Sequence, residues 1–251
     1  MDVATRVLAF TALAGLTFIP LEHLFGRRSP ARPGRAADIG FATVGEILVA
    51  LVLSAGLGSV LLVLDAVALP GPLWSGIETR TLRQAVEVGS GLLLFELMGY
   101  AYHRAAHRIP ALWRLHSVHH SSQSMDWLAS FRQHPLEIIA VTVLQNAPLV
   151  LLGLPLGSHA LVLLLLKLNT VFVHANISIP AGWWSRLIAT PHFHHRHHQR
   201  DGRVANYAAM FPWIDALFGT FSAEPAGRVG TPTPLPKTFV GLMLAPFRSR
   251  G

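Results

Sequence analysis

Residues 103–120, HRAAHRIPALWRLHSVHH, place five histidines in eighteen positions directly after an apolar run. These histidines form two clusters, His103 with His107 and His116 with His119 and His120. A third cluster lies in HFHHRHH, residues 192–198. Ten of the fourteen histidines fall in these three clusters. In a helix, residues three or four positions apart share a face, so each cluster can direct two or three imidazoles at one point. This pattern predicts a metal site built by helices.

The chain contains no cysteine, so the ligands of such a site are nitrogen and oxygen atoms. Imidazole nitrogens suit iron, zinc, copper or nickel. A thiolate zinc site and a cysteine-held iron-sulfur cluster are excluded.

The composition indicates a membrane protein, because 51% of the 251 residues are hydrophobic, only 13% are charged and the mean hydropathy is +0.44. The longest apolar run, residues 39–69, is long enough to cross a hydrocarbon core of about 30 Å. Residues 7–21 are interpreted as a retained helix and not as a signal peptide, because a basic loop follows them and no cleavage site does. The other apolar runs are residues 85–102 and, around a turn-like GLPLG, residues 138–156 and 159–173, interpreted as a helical hairpin.

These runs predict an all-α integral membrane protein with about four to five transmembrane helices, capped by a cytosolic, helical, histidine-rich domain. The loop that carries Arg27, Arg28, Arg32 and Arg35 has the composition of a cytoplasmic loop. Each span reverses the side, so the three histidine clusters are expected to meet on the cytoplasmic face.

The net charge of +7 and the pI near 11.0 agree with this topology. The simplest interpretation is the excess of basic residues in cytoplasmic loops, with specific phosphate recognition as the alternative. No nucleic-acid motif accompanies the charge, so no nucleic-acid partner is expected.

Glu96, Tyr100, His103 and His107 are spaced four, three and four residues apart and therefore form one helical stripe. A carboxylate at the position of Glu96 can accept the free N–H of a ligating imidazole and fix its orientation. The alternative is an ion pair between Glu96 and an arginine of another helix.

Eight histidines of the repeated patterns are too many for one ion and suit two adjacent ions. The ninth candidate ligand is His174, near Asn176 at the end of the hairpin, and the least certain is His134, which can instead be a partner of Glu137. His192 and His195 are interpreted as flanking residues, and His23 and His159 as interfacial. The predicted metal ligands are His103, His107, His116, His119, His120, His174, His194, His197, His198 and His134.

Six short stretches together resemble the fatty acid hydroxylase and sterol desaturase superfamily of membrane di-iron enzymes. They run from about Phe95 to Phe221 and include FELMGYAYHRAAH, LHSVHHSS, SFRQHPLE, VHANI, TPHFHHRHH and NYAAMFPWIDALFGTF. The last is similar to the family's Asn-Tyr, Trp-x-Asp and Phe-Gly-Thr signature, with Ala208 where glycine is common.

The resemblance implies two iron ions that activate O2 and attack an unactivated C–H bond of a lipid, as hydroxylase or desaturase. Zinc can replace iron on purification, because it binds such nitrogen sites more strongly than ferrous iron does. Together with Glu96 and Asn176, the resemblance marks Asn206 and Asp215 as further functional residues. The lipid can be a sterol or hopanoid, a fatty acyl chain or a carotenoid.

The chain carries no flavin or nicotinamide motif, so electrons are expected from a separate ferredoxin or small cytochrome with its reductase. The basic residues Arg196, Arg200 and Arg203 are the expected docking face for that partner. The predicted location is the bacterial inner membrane, with contacts to membrane lipids. We divide the single predicted domain into N-terminal membrane helices and loops (1–83), a catalytic di-iron core (84–222) and a proline-containing C-terminal tail (223–251).

Two other functions fit a histidine-rich membrane protein. A zinc or nickel transporter should carry ionisable groups through several spans, whereas Glu46, Glu96 and Lys167 are the few charges predicted inside the spans. A zinc hydrolase is disfavoured, because the sequence has no HExxH motif and no recognisable nucleophile.

Overall fold

In the computed structural model, the described residues are 1–26, 33–66, 74, 76–154, 156–180 and 182–248. The described part is helical, and its one β-bridge pairs Gln199 with Val229. This confirms the all-α class. Arg27, Arg28 and Arg32, which orient the predicted topology, lie outside the described residues, as do the side chains of Asp65 and His159.

The N-terminal half of the chain supplies four helices. Helix α1 covers Val3–Phe25, and Asp2 caps it by accepting the N–H of Thr5 at 2.8 Å. Helix α2 (Arg35–Gly40) continues through a π-helical turn at Phe41–Gly45 into α3 (Glu46–Ala66), and α4 covers Arg80–Ala106.

Helix α5 spans Pro110–His120, α6 spans Pro135–Leu151 and α7 spans Leu156–His174. Three short helices follow: α8 (Pro191–His197), α9 (Pro212–Leu217) and α10 (Phe239–Leu244). Short 3₁₀ turns lie at Trp127–Phe131, Trp183–Arg186 and Ala245–Phe247.

Within the described residues, two helical segments are long and apolar enough to cross a membrane, Val3–Phe25 and Arg35–Gly56. Helix α6 and residues Leu161–His174 of α7 are apolar but shorter. These segments favour a membrane protein, and the count of four to five spans stays a prediction. The predicted hairpin corresponds to α6 and α7, and α4 packs against both of them.

Three apolar clusters position the histidines. Ala14 and Phe18 of α1 pack against Trp127 and Phe131 of the turn before α6. Tyr100 of α4 packs with Phe193 of α8. The third cluster joins Phe41 and Val118 to Leu242 of α10, so the predicted tail packs onto α5 and the π-helical turn.

Candidate metal centre

The C-terminal ends of α4, α5 and α7 and the short helix α8 come together in one region. Prolines at the first turns of α5 and α8 suit helix starts, because a proline there loses no intrahelical hydrogen bond. Nine histidines from these four helices form two groups in which the potential ligand atoms all lie within 4.8 Å of one another. All nine are among the predicted ligands.

The first group contains five histidines, and we call it the five-histidine group. Its Nε2 atoms face each other, with separations of 3.2 Å between His107 and His197, 3.1 Å between His116 and His120, and 3.0 Å between His120 and His197. The buried Nε2 of His103 has no hydrogen-bond partner in the described part of the chain. The members are His103, His107, His116, His120 and His197.

The second group, the four-histidine group, is entirely buried. The Nε2 atom of His174 lies 3.1 Å from that of His119 and 3.1 Å from that of His194, and the latter lies 3.1 Å from the Nε2 of His198. This group therefore joins α5, α7 and α8.

The two groups lie side by side because α5 and α8 contribute to both. The rings of His120 and His198, one from each group, are stacked with centroids 4.4 Å apart. Sequence reasoning expected each cluster to aim at one point, but the second and third clusters each divide. Consecutive histidines such as His119 and His120 point about 100° apart on a helix and therefore serve different groups.

Most of these rings are oriented by a second contact at Nδ1. The Nδ1–H of His103 donates to the Tyr207 carbonyl at 2.6 Å, that of His197 to the Ala205 carbonyl at 2.8 Å, and that of His116 to the carboxylate of Glu137 at 2.7 Å.

In the four-histidine group, His119 donates to the Arg132 carbonyl at 3.1 Å and His174 to the Thr170 carbonyl at 2.7 Å. A neutral ring whose proton is held at Nδ1 presents a lone pair at Nε2.

These lone pairs test whether a metal fits the site. His119 and His174 hold their protons at Nδ1, so their facing Nε2 lone pairs, 3.1 Å apart, cannot hydrogen-bond to each other. In the other group, the buried Nε2 of His103 has no partner among the described residues. A cation at the centre of each group would satisfy them. Burial lowers the pKa of His103 and of His116 to about 3, so both rings are neutral and can act as ligands.

Asp215 holds the backbone that orients His103. Its carboxylate accepts the N–H groups of Tyr207 and Ala208, both at 2.8 Å, and the hydroxyl of Thr220 at 2.6 Å. Asp215 therefore fixes the loop whose Tyr207 carbonyl receives the proton of His103.

Asn206 performs a similar task next to Ala205. Its φ of +60° lies in the left-handed region, which asparagine tolerates better than most residues. The side-chain amide donates to the carbonyls of Phe193 and Ser222 and accepts the N–H of Ser222. Asn206 thus ties α8 to the segment around Ser222.

Glu96 makes different contacts from those expected. Its carboxylate accepts the backbone N–H groups of Met210 at 2.7 Å and Phe211 at 3.2 Å, instead of an imidazole or an arginine. The carboxylate that contacts a ligand ring is Glu137. Glu96 anchors the loop after Tyr207 to α4, two helical turns before His103.

His134 lies outside both groups. It caps α6 by accepting the N–H of Leu136 at Nδ1, and its Nε2–H donates to the carbonyl of Met243 at 3.1 Å. Both ring nitrogens therefore join backbone groups. His192 and His195 also lie outside both groups, and each contacts a backbone carbonyl through Nε2.

Two buried acids support the site although sequence reasoning assigned them no role. Glu22 of α1 accepts the N–H of Trp127 at 2.7 Å and that of Asn176 at 2.9 Å. Asp38 forms a buried ion pair with Arg132, the residue whose carbonyl holds His119. Their position as charges next to apolar runs is the signal that could have identified them.

A cavity of about 350 Å³ reaches the five-histidine group. His107, His120 and His197 line it together with Trp113. The proline-rich segment also lines it, through Gly230, Thr231, Pro232, Thr233 and Leu235. The C-terminal segment therefore forms part of the cavity wall beside the five-histidine group.

Comparisons with known proteins agree with this site. Residues 88–220, more than half of the chain, match the model of the fatty acid hydroxylase family. The ornithine lipid hydroxylase OlsE of Rhizobium tropici is 29% identical over 66% of this chain and 52% of its own length. The human alkylglycerol monooxygenase is 32% identical over 50% of this chain and 28% of its own length.

A very-long-chain aldehyde decarbonylase of Oryza sativa is 31% identical over 61% of this chain and 56% of its own length. The chain thus spans about half or less of the length of these three relatives. No solved structure matches it. The matched region contains all nine grouped histidines, together with Asn206 and Asp215. The chain belongs to the fatty acid hydroxylase family, within the fatty acid hydroxylase and sterol desaturase superfamily.

Proposed function

We propose that this protein is a membrane-bound di-iron enzyme that uses O2 to hydroxylate or desaturate an unactivated C–H bond of a lipid. Hydroxylation would consume O2, two electrons and two protons, insert one oxygen atom into the C–H bond and release one water. Desaturation would consume the same reagents, remove two hydrogen atoms and release two waters. The observation that carries the proposal is the convergence of nine imidazoles in two adjacent groups, five of them oriented by a contact at Nδ1.

Iron bound by such rings supplies the oxidative chemistry, and the protein supplies position and surroundings. The five-histidine group would hold one ion and the four-histidine group the other. Glu137 and the carbonyls at Tyr207, Ala205, Arg132 and Thr170 keep the ligand rings in the tautomer that presents Nε2. Asp215 and Asn206 hold the loops that carry two of these carbonyls.

The substrate class is a lipid with a long apolar portion, which covers a fatty acyl chain, a sterol or hopanoid, and a carotenoid. The names of the relatives support this class, since they include a lipid hydroxylase, an alkylglycerol monooxygenase and a very-long-chain aldehyde decarbonylase. The relatives also disfavour a zinc or nickel transporter.

The electrons would come from a separate ferredoxin or small cytochrome. Arg196 is unsuited to dock it, because its side chain is buried and pairs with Glu224 at 3.3 Å. Arg200 and Arg203 are more exposed and remain the basic residues of the expected docking face. We place the protein in the bacterial inner membrane as a multi-pass protein, with the metal centre on the cytoplasmic side.

The decisive experiment measures metal content and lipid chemistry together. We expect two irons per chain in protein reconstituted under reducing conditions, and a lipid product that has gained one oxygen or lost two hydrogens in membranes that contain the protein. Replacement of His119 or His197 by alanine should abolish the product, whereas His23→Ala, which alters an exposed residue outside both groups, should not.

Two outcomes would contradict the proposal. Protein that supports full function in cells with zinc alone, and takes up no oxygen when reduced with iron bound, would not be an oxygenase. Full turnover of the His119→Ala protein would refute the assignment of the ligands.

A further inference from the structure

An apolar groove of about 700 Å³ runs along the outside of α4. The floor is formed by Leu97, Ala101 and Ala105 of α4, and Phe218 forms a wall. No grouped histidine is among its lining residues, which are Leu97, Tyr100, Ala101, Arg104, Ala105, Arg108, Ile109 and Phe218. The groove is therefore a separate site from the metal centre.

Two aromatic rings separate the groove from the metal centre. The ring of Tyr100 stacks on Phe218 with centroids 5.1 Å apart, and its hydroxyl is 2.9 Å from that of Thr220. Tyr207 contacts Tyr100 edge-on on one side and His103 on the other. These contacts fix the wall of the groove, so its shape is set by the fold.

The only charged residues that line the groove are Arg104 and Arg108. Within the described part of the chain, neither guanidinium forms an ion pair. Arg104 donates to the Tyr100 hydroxyl at 3.2 Å, while its buried Nε–H has no acceptor among the described residues. A buried guanidinium donor without an acceptor is costly and favours an anionic ligand.

The order of residues along α4 matches the shape of an amphiphile. Leu97 and Arg104 are seven residues apart, which corresponds to about 10 Å along a helix. The apolar part of the groove therefore lies at the level of the predicted span, residues 85–102. The two arginines lie just beyond the end of this span. A lipid of the adjacent leaflet has the same order, with its acyl chains inside and its head group at the surface.

The far wall is suited to contact lipid. Leu217 and Phe218, at the end of α9, are 69% and 47% exposed, and Trp213 of the same helix is 39% exposed. Glu96 ties the loop before α9 to α4 through Met210 and Phe211, at a depth one to two turns inside the predicted span. Large exposed apolar groups at this depth are expected where a protein contacts a bilayer.

We propose that this groove binds an anionic phospholipid, with an acyl chain along Leu97, Ala101 and Phe218 and the phosphate at Arg104 and Arg108. The proposal goes beyond the metal chemistry. It rests on the prediction from the sequence that the apolar run of residues 85–102, which lies in α4, is in the membrane. If a lipid were attracted only by the general excess of basic residues on the cytoplasmic face, Arg104 and Arg108 would matter no more for its binding than other basic residues.

The test counts retained lipids. The protein is purified from bilayers of phosphatidylglycerol and phosphatidylcholine, and the lipids that remain bound after detergent exchange are counted by mass spectrometry. We expect preferential retention of phosphatidylglycerol. Arg104→Gln and Arg108→Gln should each lower this preference by about fivefold, the effect of one basic residue at an anionic surface.

Two further variants guard against indirect effects. Arg114→Gln removes an equal charge from an exposed site on α5 outside the groove and should leave the preference unchanged. Ala101→Phe fills the groove without a change of charge and should reduce the retention of both lipids. Metal content, measured on the same samples, should stay constant in all four variants, which separates this site from the proposed di-iron centre.

Three results would overturn the proposal. An equal preference in the protein with both arginines replaced would exclude the head-group contact. An equal loss with Arg114→Gln would indicate diffuse charge attraction. Displacement of the lipid by inorganic phosphate at the same concentration would indicate an anion site that does not need an acyl chain.

Discussion

The five-histidine group and the four-histidine group use the same helices α5 and α8 but differ in their access to the outside. Three members of the five-histidine group line the cavity under the proline-rich segment, and two of its members are only partly buried. All members of the four-histidine group are buried, and none lines that cavity. One helix can therefore contribute adjacent histidines to an accessible group and to an enclosed group.

The supporting contacts differ as well. The five-histidine group relies on a carboxylate, Glu137, at the ring of His116. The four-histidine group relies on a carbonyl of Arg132, whose side chain is fixed by the buried pair with Asp38. Loss of a ligand or of its support should thus affect the two groups to different extents.

The largest effect is expected from His119→Ala. It reduces the four-histidine group to three ligands, so we expect loss of one ion per chain and of all lipid turnover. His107→Ala leaves four histidines in the other group and should retain both ions. Metal analysis of the two purified variants checks this difference. If His107→Ala loses an ion as readily as His119→Ala does, the expected difference between the two groups is wrong.

A large loss of stability is expected from Asp38→Asn. It leaves the buried guanidinium of Arg132 without its charge partner, which costs about 3–5 kcal/mol of folding free energy. Thermal unfolding of the purified protein measures the effect. Asp201→Asn removes an acid from an exposed ion pair and should change stability by less than about 1 kcal/mol. Similar unfolding midpoints for the two variants would show that the Asp38 pair does not support the fold.

A smaller effect is expected from Glu137→Gln, which keeps the shape of the side chain but removes the charge beside His116. We expect about 10–100-fold weaker metal retention in the five-histidine group, as is typical for a lost outer partner of a ligand. Competition with a chelator measures the affinity. Glu78→Gln, at an exposed acid in the segment before α4, serves as the control and should leave both ions unaffected.

The smallest effect concerns the rate of metal loss. A chelator should remove the ions in two phases, with the faster phase from the five-histidine group, because the cavity reaches only that group. Thr233→Trp narrows the cavity and should slow the fast phase by a few-fold. Lys237→Trp, exposed and outside the lining, should not. A single phase in the unmodified protein would contradict the proposed difference in access.

The sequence predicted which histidines lie together better than it predicted their surroundings. The helical spacing of His103, His107 and the HxxHH patterns placed nine histidines together, because spacing on a helix is a local property. Consecutive residues of a helix point about 100° apart, so the sequence also contains the reason why His119 and His120 belong to different groups. We had instead expected all histidines of one cluster to point at the same site.

The supporting contacts were less accessible to prediction, because they depend on which distant segments pack together. Glu22 contacts Trp127 and Asn176, which are more than a hundred residues away in the sequence. No local sequence pattern predicts such a contact. The same reason explains Glu96, whose partners on the Met210 loop are fixed by tertiary packing. Helix positions were predicted well for α3, α6 and α7, where apolar runs are long.

The hydrogen bond from the Gly230 N–H to the His198 carbonyl has a consequence for biogenesis. The first grouped histidine is at position 103, the last is at position 198, and the segment that lines the cavity beside them comes later still. A ribosome must therefore synthesise the chain past residue 198 before either histidine group is complete. Residues 230–235 would pack beside the cavity only after both groups have been synthesised.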